Sequence, residues 1–183
     1  MILGEGAGIV VLEAPEHAAR RGARAIATLM GGGMSNSPGS LLSCDPAGMI
    51  RAMERALADA GLPPDAIGYI NAHGTGTASN DHAEGTAINH IFGTRDVPVP
   101  VSSIKSMIGH AMGAAGAIEA IATIAALESG LLPPTLHFLG IDPEIGIDPL
   151  STGVRRQPIA AALSNSFAFG GIAVCLVFGR ASG

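Results

Sequence analysis

The stretch Ile67-Gly68-Tyr69-Ile70-Asn71-Ala72-His73-Gly74-Thr75-Gly76-Thr77 decides the fold. Residues 67–72 read as a strand that carries His73 to its C-terminal end, and residues 79–92 as a helix stopped by Gly93. Reactive side chains in α/β folds are displayed at such strand ends. The glycines let the backbone approach a ligand closely, and the threonines offer hydroxyls to a polar, extended one. Taken alone, such a histidine is as readily a turn residue as a site.

Working outward, strand and helix signals alternate. Residues 6–13 read as a buried strand, 14–21 as a short helix ended by Gly22, and 24–31 as a second strand. Gly31-Gly32-Gly33 opens a loop to about Cys44. Asp45 is a good N-cap and Pro46 a good first residue for a helix stopped by Gly61 and Pro63. Val97–Val101, with two prolines, reads as a strand at an edge or a strand start. Residues 111–128 read as a buried, alanine-rich helix, with Glu119 arguing against a membrane span. The proline-rich 130–157 reads as a long ordered loop, and 159–164 with 172–178 as a closing hairpin around Phe167–Gly171. This order implies an α/β fold, a mixed sheet with helices on its faces. With no tandem repeat and no separating linker, 1–183 reads as one domain.

Composition narrows the function classes. The 183 residues are 48% hydrophobic and 14% charged with 26 glycines, which excludes a disordered chain. A net charge of −5 argues against a nucleic-acid surface. Cys44 and Cys175 form no disulfide framework and have no metal-ligand spacing. No secretory signal pattern opens the chain, so the cytoplasm is the expected location. Met1-Ile2-Leu3 runs straight into Gly4-Glu5-Gly6-Ala7-Gly8, so the sequence reads as beginning inside a fold.

Three further segments carry chemistry. His110, in Ile108-Gly109-His110-Ala111-Met112-Gly113, falls at the start of the alanine-rich helix, where an imidazole can donate to developing negative charge or simply cap the helix. Lys105 is bracketed by Ile104 and Met107 with hydroxyl neighbours. Buried, it needs a partner, and Glu84 and Asp81 are the candidates. Phe167-Ala168-Phe169-Gly170-Gly171 is a turn whose N–H groups suit an oxyanion hole, or an ordinary aromatic hairpin. There is no Gly-x-Ser-x-Gly elbow, phosphate loop, dinucleotide fingerprint or CxxC.

Together, Gly4–Glu13, Asn71–Thr77, Asp81 with Glu84, Ser103–Gly116 and Ser164–Gly171 resemble the C-terminal half of a β-ketoacyl-acyl-carrier-protein synthase, the elongating type of the thiolase-like superfamily, and the related ketosynthase domains of polyketide synthases. The resemblance implies one half of a layered α-β-α-β-α fold and a decarboxylative Claisen condensation in fatty acid or polyketide synthesis. It implies that His73 and His110 support decarboxylation, that Lys105 pairs with Glu84, and that Thr75 and Thr77 contact the phosphopantetheine arm. It further implies that the Phe169 N–H is half of the oxyanion hole beside Gly170, with the Phe169 ring gating the acyl pocket. No cofactor is implied beyond the phosphopantetheine of acyl carrier protein. The implied partners are that carrier protein and an N-terminal ketosynthase half or a homo-oligomer.

The sequence departs from the family at two points. The nucleophilic cysteine belongs to the N-terminal half and has no counterpart here, and Ile172-Ala173-Val174 stands where an asparagine usually follows the Gly-Gly turn. Half the fold should leave a large apolar face uncovered. Condensation by this chain alone is therefore not expected. A non-catalytic carrier-protein-binding or pocket-shaping subunit and a malonyl decarboxylase are the alternatives.

Overall fold

The computed structural model describes residues 1–39, 43–140 and 147–181. Its helices are α1 (Pro15–Arg20), α2 (Pro46–Ala60), α3 (Ala78–Phe92), α4 (Lys105–Ile108) and α5 (Ala115–Ser129). Its strands are β1 (Ala27–Asn36), β2 (Ile67–Asn71), β3 (Pro100–Ser102), β4 (Leu131–Leu132), β5 (Asp148–Pro149), β6 (Arg155–Arg156), β7 (Ala161–Ala168) and β8 (Ile172–Arg180). Six strands form one mixed sheet in the order β1-β8-β7-β2-β3-β5, and β4 pairs with β6 apart from it. β1, β8 and β7 are antiparallel neighbours. The pairs β7–β2, β2–β3 and β3–β5 are parallel.

Helices α2 and α3 cover one face of the sheet. Met49, Met53, Ala56, Ile70, Ala83, Ile88, Leu163 and Val177 fill the space between. On the other face α5 packs through Ala120, Ala126 and Leu127 against Tyr69, Ala162 and Phe178. The strands are thus apolar on both faces, as a helix-covered sheet requires. Asp45 caps α2 by accepting from the N–H groups of Ala47 and Gly48, both at 3.1 Å, and Gly61 ends it in the left-handed conformation.

Several sequence expectations change. Residues 6–13 form no strand: the β-branched run has no partner ladder among the described residues, and Ile9, Val11 and Leu12 are 88, 80 and 71% exposed. A bridge forms only ahead of this segment, where Leu3 pairs with His110. The triglycine is not a loop; β1 runs through it to Asn36. A Cβ on Gly33 would lie 2.0 Å from the Ala52 carbonyl oxygen and one on Gly31 2.4 Å from the Ala60 nitrogen, so these glycines let α2 lie directly on the strand. Helix α5 is buried along one face only: Ala115, Glu119, Ala120, Thr123, Ala126 and Leu127 turn inward, and Ile121 is exposed. Met112–Ser129 is long and apolar enough to cross a bilayer by length and composition, but its inward face carries a carboxylate and a hydroxyl bonded into the fold. The 130–157 segment contains three short strands, and the part at 141–146 lies outside the described residues, as does residues 40–42 of the loop before Cys44.

Candidate active site

The site forms where β2 ends. His73 is buried, and its N–H and that of Gly74 donate to the two carboxylate oxygens of Glu84, at 2.9 and 2.8 Å. Glu84 projects from the inner face of α3, and Asn165 of β7 donates to it at 3.0 Å. On its other side the loop is fixed by Ser103, whose hydroxyl donates to the Gly74 carbonyl at 2.9 Å. A Cβ on Gly74 would stand 2.5 Å from that of Ser103. Glu84 is therefore the anchor of the histidine loop. Burial raises its pKa, and the N–H groups it accepts from pull it back.

Lys105 does not pair with Glu84 or Asp81. Its ammonium pairs with Glu119 of α5 and lies 3.2 Å from Nδ1 of His73. Glu84 is already taken up by donors from its own side of the sheet, and Asp81 accepts from Asn80 at 3.1 Å. Glu119 sits where α5 crosses the end of β2. There Asn71 donates to the Glu119 carbonyl at 3.0 Å and to the Thr123 hydroxyl at 3.1 Å. Burial raises the pKa of Glu119 to about 7 against the pull of Lys105. The signal for this partner is present in the sequence as a carboxylate inside the alanine-rich helix, away from Glu128 near its end.

His110 follows Gly109, which has φ +75°, and its Nδ1 accepts from the Met112 N–H at 3.1 Å. Met112 itself is left-handed, with φ +50°, an uncommon conformation for a residue with a side chain. The His73 and His110 rings lie 5.3 Å apart at 85°, and Phe167 stacks edge-on to His73 at 5.8 Å. An ammonium has no lone pair, so Lys105 as the cation donates to His73 Nδ1. Each ring thus has Nδ1 engaged as an acceptor and its remaining proton on Nε2. Burial, then Lys105 and His110, pushes the pKa of His73 down to about 3; burial and Lys105 lower that of His110. Both imidazoles are neutral hydrogen-bond donors at physiological pH.

These rings line a cavity of about 580 Å³ together with Thr75, Thr77, Phe167 and Phe169. The two threonine hydroxyls are 2.8 Å apart. Strand β7 extends through Phe167 to Ala168, so the turn is shorter than the sequence suggests: Phe169-Gly170-Gly171, with both glycines at positive φ. The Phe169 ring is exposed, and Gly170 sits at the tip of the turn. Gly171 is docked on Ser37, whose N–H donates to its carbonyl at 3.0 Å. Ala173, in the Ile172-Ala173-Val174 stretch after the turn, is buried in one cluster with Met49 and Phe167. Cys44 lines the histidine cavity half-buried, and burial raises the thiol pKa of Cys175 inside β8. Among the described residues no group of three or more His, Cys, Asp and Glu side chains is placed to hold a metal ion, and Asn71 Oδ1 and Asn165 Oδ1 are buried acceptors without a donor.

One end of the mixed sheet thus gathers two neutral histidines, a buried lysine and a Gly-Gly turn. Residues 26–139 match the model of the β-ketoacyl synthase C-terminal domain, and the chain belongs to that family. Nodulation protein E of Rhizobium sp. (strain N33) is 44% identical over 178 residues, covering 97% of this chain and 44% of the relative. The 3-oxoacyl-[acyl-carrier-protein] synthase 2 of Mycobacterium bovis is 40% identical over 98% of this chain and 43% of its own length. Among solved structures, the ishigamide ketosynthase/chain length factor superposes with a TM-score of 0.94 at 39% identity, over 98% of this chain and 44% of that one. The chain thus spans less than half the length of the curated relatives it matches.

Proposed function

We propose that the chain supplies the decarboxylating half of a β-ketoacyl-acyl-carrier-protein synthase centre, acting on a malonyl thioester carried by phosphopantetheine. The reading rests on one observation: His73 and His110 stand 5.3 Å apart with each Nδ1 occupied, so two Nε2–H donors share one cavity. Both donate to the thioester carbonyl oxygen. The bond from the α-carbon to the carboxylate breaks, CO2 leaves, and the electron pair passes to an enolate whose charge sits on that oxygen. The resulting carbanion attacks an acyl thioester held on a cysteine, whose thiolate departs. Neutral imidazoles suit the step because they give up no proton before charge develops.

In this reading Thr75 and Thr77 meet the phosphopantetheine arm, the Phe169 N–H with Gly170 forms the oxyanion hole of the acyl thioester, and the Phe169 ring gates its pocket. The thiol comes from an N-terminal ketosynthase half, the substrates from acyl carrier protein in the cytosol, and no other cofactor takes part. Condensation is expected only when that half is supplied.

The test is to mix the chain with an acyl thioester of carrier protein and carboxyl-labelled malonyl-carrier protein, with and without an N-terminal synthase half. The expected result is no condensation and no acyl-enzyme from the chain alone, and condensation on addition of the half that is lost in His73→Ala. A stable thioester on Cys44 or Cys175 overturns the dependence on an outside thiol. Since both histidines lie in this chain, CO2 release without condensation is the second reading. Carrier-protein binding with no CO2 release in any mixture favours a non-catalytic subunit.

A further inference from the structure

The peptide groups of His110 are gripped from both sides by residues more than a hundred positions earlier. The His110 N–H donates to the Ile2 carbonyl at 2.8 Å, its own carbonyl accepts from the Gly4 N–H at 3.1 Å, and Leu3 lies alongside as a parallel bridge. The fit is close. A Cβ on Gly4 would stand 2.1 Å from the Ile108 carbonyl oxygen, and one on Gly109 2.8 Å from the Gly4 nitrogen. His110 lies between two residues of positive φ, Gly109 and Met112, outside any helix. Both of its backbone hydrogen-bonding groups are thus satisfied by this segment, and buried or half-buried backbone groups need such partners.

We propose that Ile2–Gly4 is a positioning element for His110, and that Gly4 is the position where it tolerates no side chain. By fixing both peptide groups of His110, the segment fixes where the imidazole stands relative to His73. The inference rests on the decarboxylation reading for what that placement achieves. A shift of about 1 Å in such a group costs on the order of 100-fold in rate.

Amide exchange in the unaltered protein and histidine-ring NMR on two variants test it. The Gly4 and His110 amides are expected to exchange slowly, and those of Gly6 and Gly8, which lie over α5 without such bonds, quickly. Gly4→Ala is expected to move the His110 ring signals and leave those of His73 in place. Gly6→Ala, whose Cβ meets only the free end of the Ile118 side chain, is expected to move neither. A His110 amide exchanging as fast as that of Gly6 overturns the proposal even where Gly4→Ala does not fold. Unmoved His110 signals in a folded Gly4→Ala also overturn it. In the reconstituted synthase, CO2 release is expected to fall about tenfold or more in Gly4→Ala. If the ring signals move and CO2 release holds, the clamp stands and the part given to His110 in decarboxylation falls.

Discussion

Nζ of Lys105 lies 3.2 Å from Nδ1 of His73 while pairing with the Glu119 carboxylate, so one buried ammonium links the His73 loop to helix α5. The side chains are 5 and 2% exposed. Removing one partner strands the other charge, at a cost of about 3–5 kcal/mol, whereas removing both with apolar groups is often neutral. Lys105→Met is therefore expected to lower stability in urea unfolding far more than the Lys105→Met/Glu119→Leu double variant. Equal losses in the two would show that the pair contributes nothing.

His73 sets a pH dependence whose sign follows from its lowered pKa, about 3 in the fold against 6.5 in the unfolded chain. Between those values the unfolded state holds the proton and the folded state does not, so stability is full above pH 6.5 and falls as pH drops toward 3. From pH 6.5 to 5 the loss is about 2 kcal/mol at 1.36 kcal/mol per unit. Glu119, with a raised pKa, acts in the opposite direction between 4.5 and about 7. Comparing the parent with His73→Gln at both pH values isolates the histidine, and a variant with the same acid slope as the parent would count against its buried neutrality.

Glu84→Gln tests the anchor of the histidine loop. The carboxylate accepts from the His73 and Gly74 amides, one on each oxygen. A glutamine must turn its NH2 toward one of these donors, leaving an N–H unsatisfied for about 1–3 kcal/mol. Thermal unfolding is expected to show this loss together with altered His73 ring signals. A variant as stable as the parent would mean the loop is held by Ser103 alone.

Neighbouring glycines of β1 should differ. Gly33→Ala drives a Cβ into the Ala52 carbonyl at 2.0 Å, backbone that cannot give way without moving α2. Gly32→Ala meets the Leu176 side chain at 3.3 Å and the Cys175 carbonyl oxygen at an ordinary 3.8 Å. Chemical denaturation is expected to show Gly33→Ala less stable than Gly32→Ala by about 2 kcal/mol or more. Similar values for both would show that α2 shifts easily on the strand.

The features legible in the sequence were those fixed by neighbours along the chain. Asp45 and Pro46 announced the start of α2 because a cap is a contact across three residues, and Gly61 announced its end. The two histidines and the Gly-Gly turn were legible as a set because each ends its own element. Contacts between distant elements were not. Lys105 finds Glu119 only because α5 crosses β2 at that point, and nothing local to Glu84 reveals that the amides of its own loop claim it first. Local propensity also misled: the β-branched run of 6–13 names a strand, but a strand needs a partner ladder. Gly31-Gly32-Gly33 has the composition of a loop and the role of a packing contact.

The strand order has a consequence in time. The hairpin β7–β8 follows the sheet's other strands in sequence yet occupies its middle, between β1 on one side and β2 on the other. Residues 67–71 cannot pair with 161–164 until some 90 intervening residues have been made, a separation that slows folding. On the ribosome the two flanks therefore wait apart, each with an open edge. Asn165, which closes the hydrogen-bonding shell of Glu84, arrives only with that final insertion. The histidine centre is completed only once residues 161–165 have been made, in one step with the sheet itself.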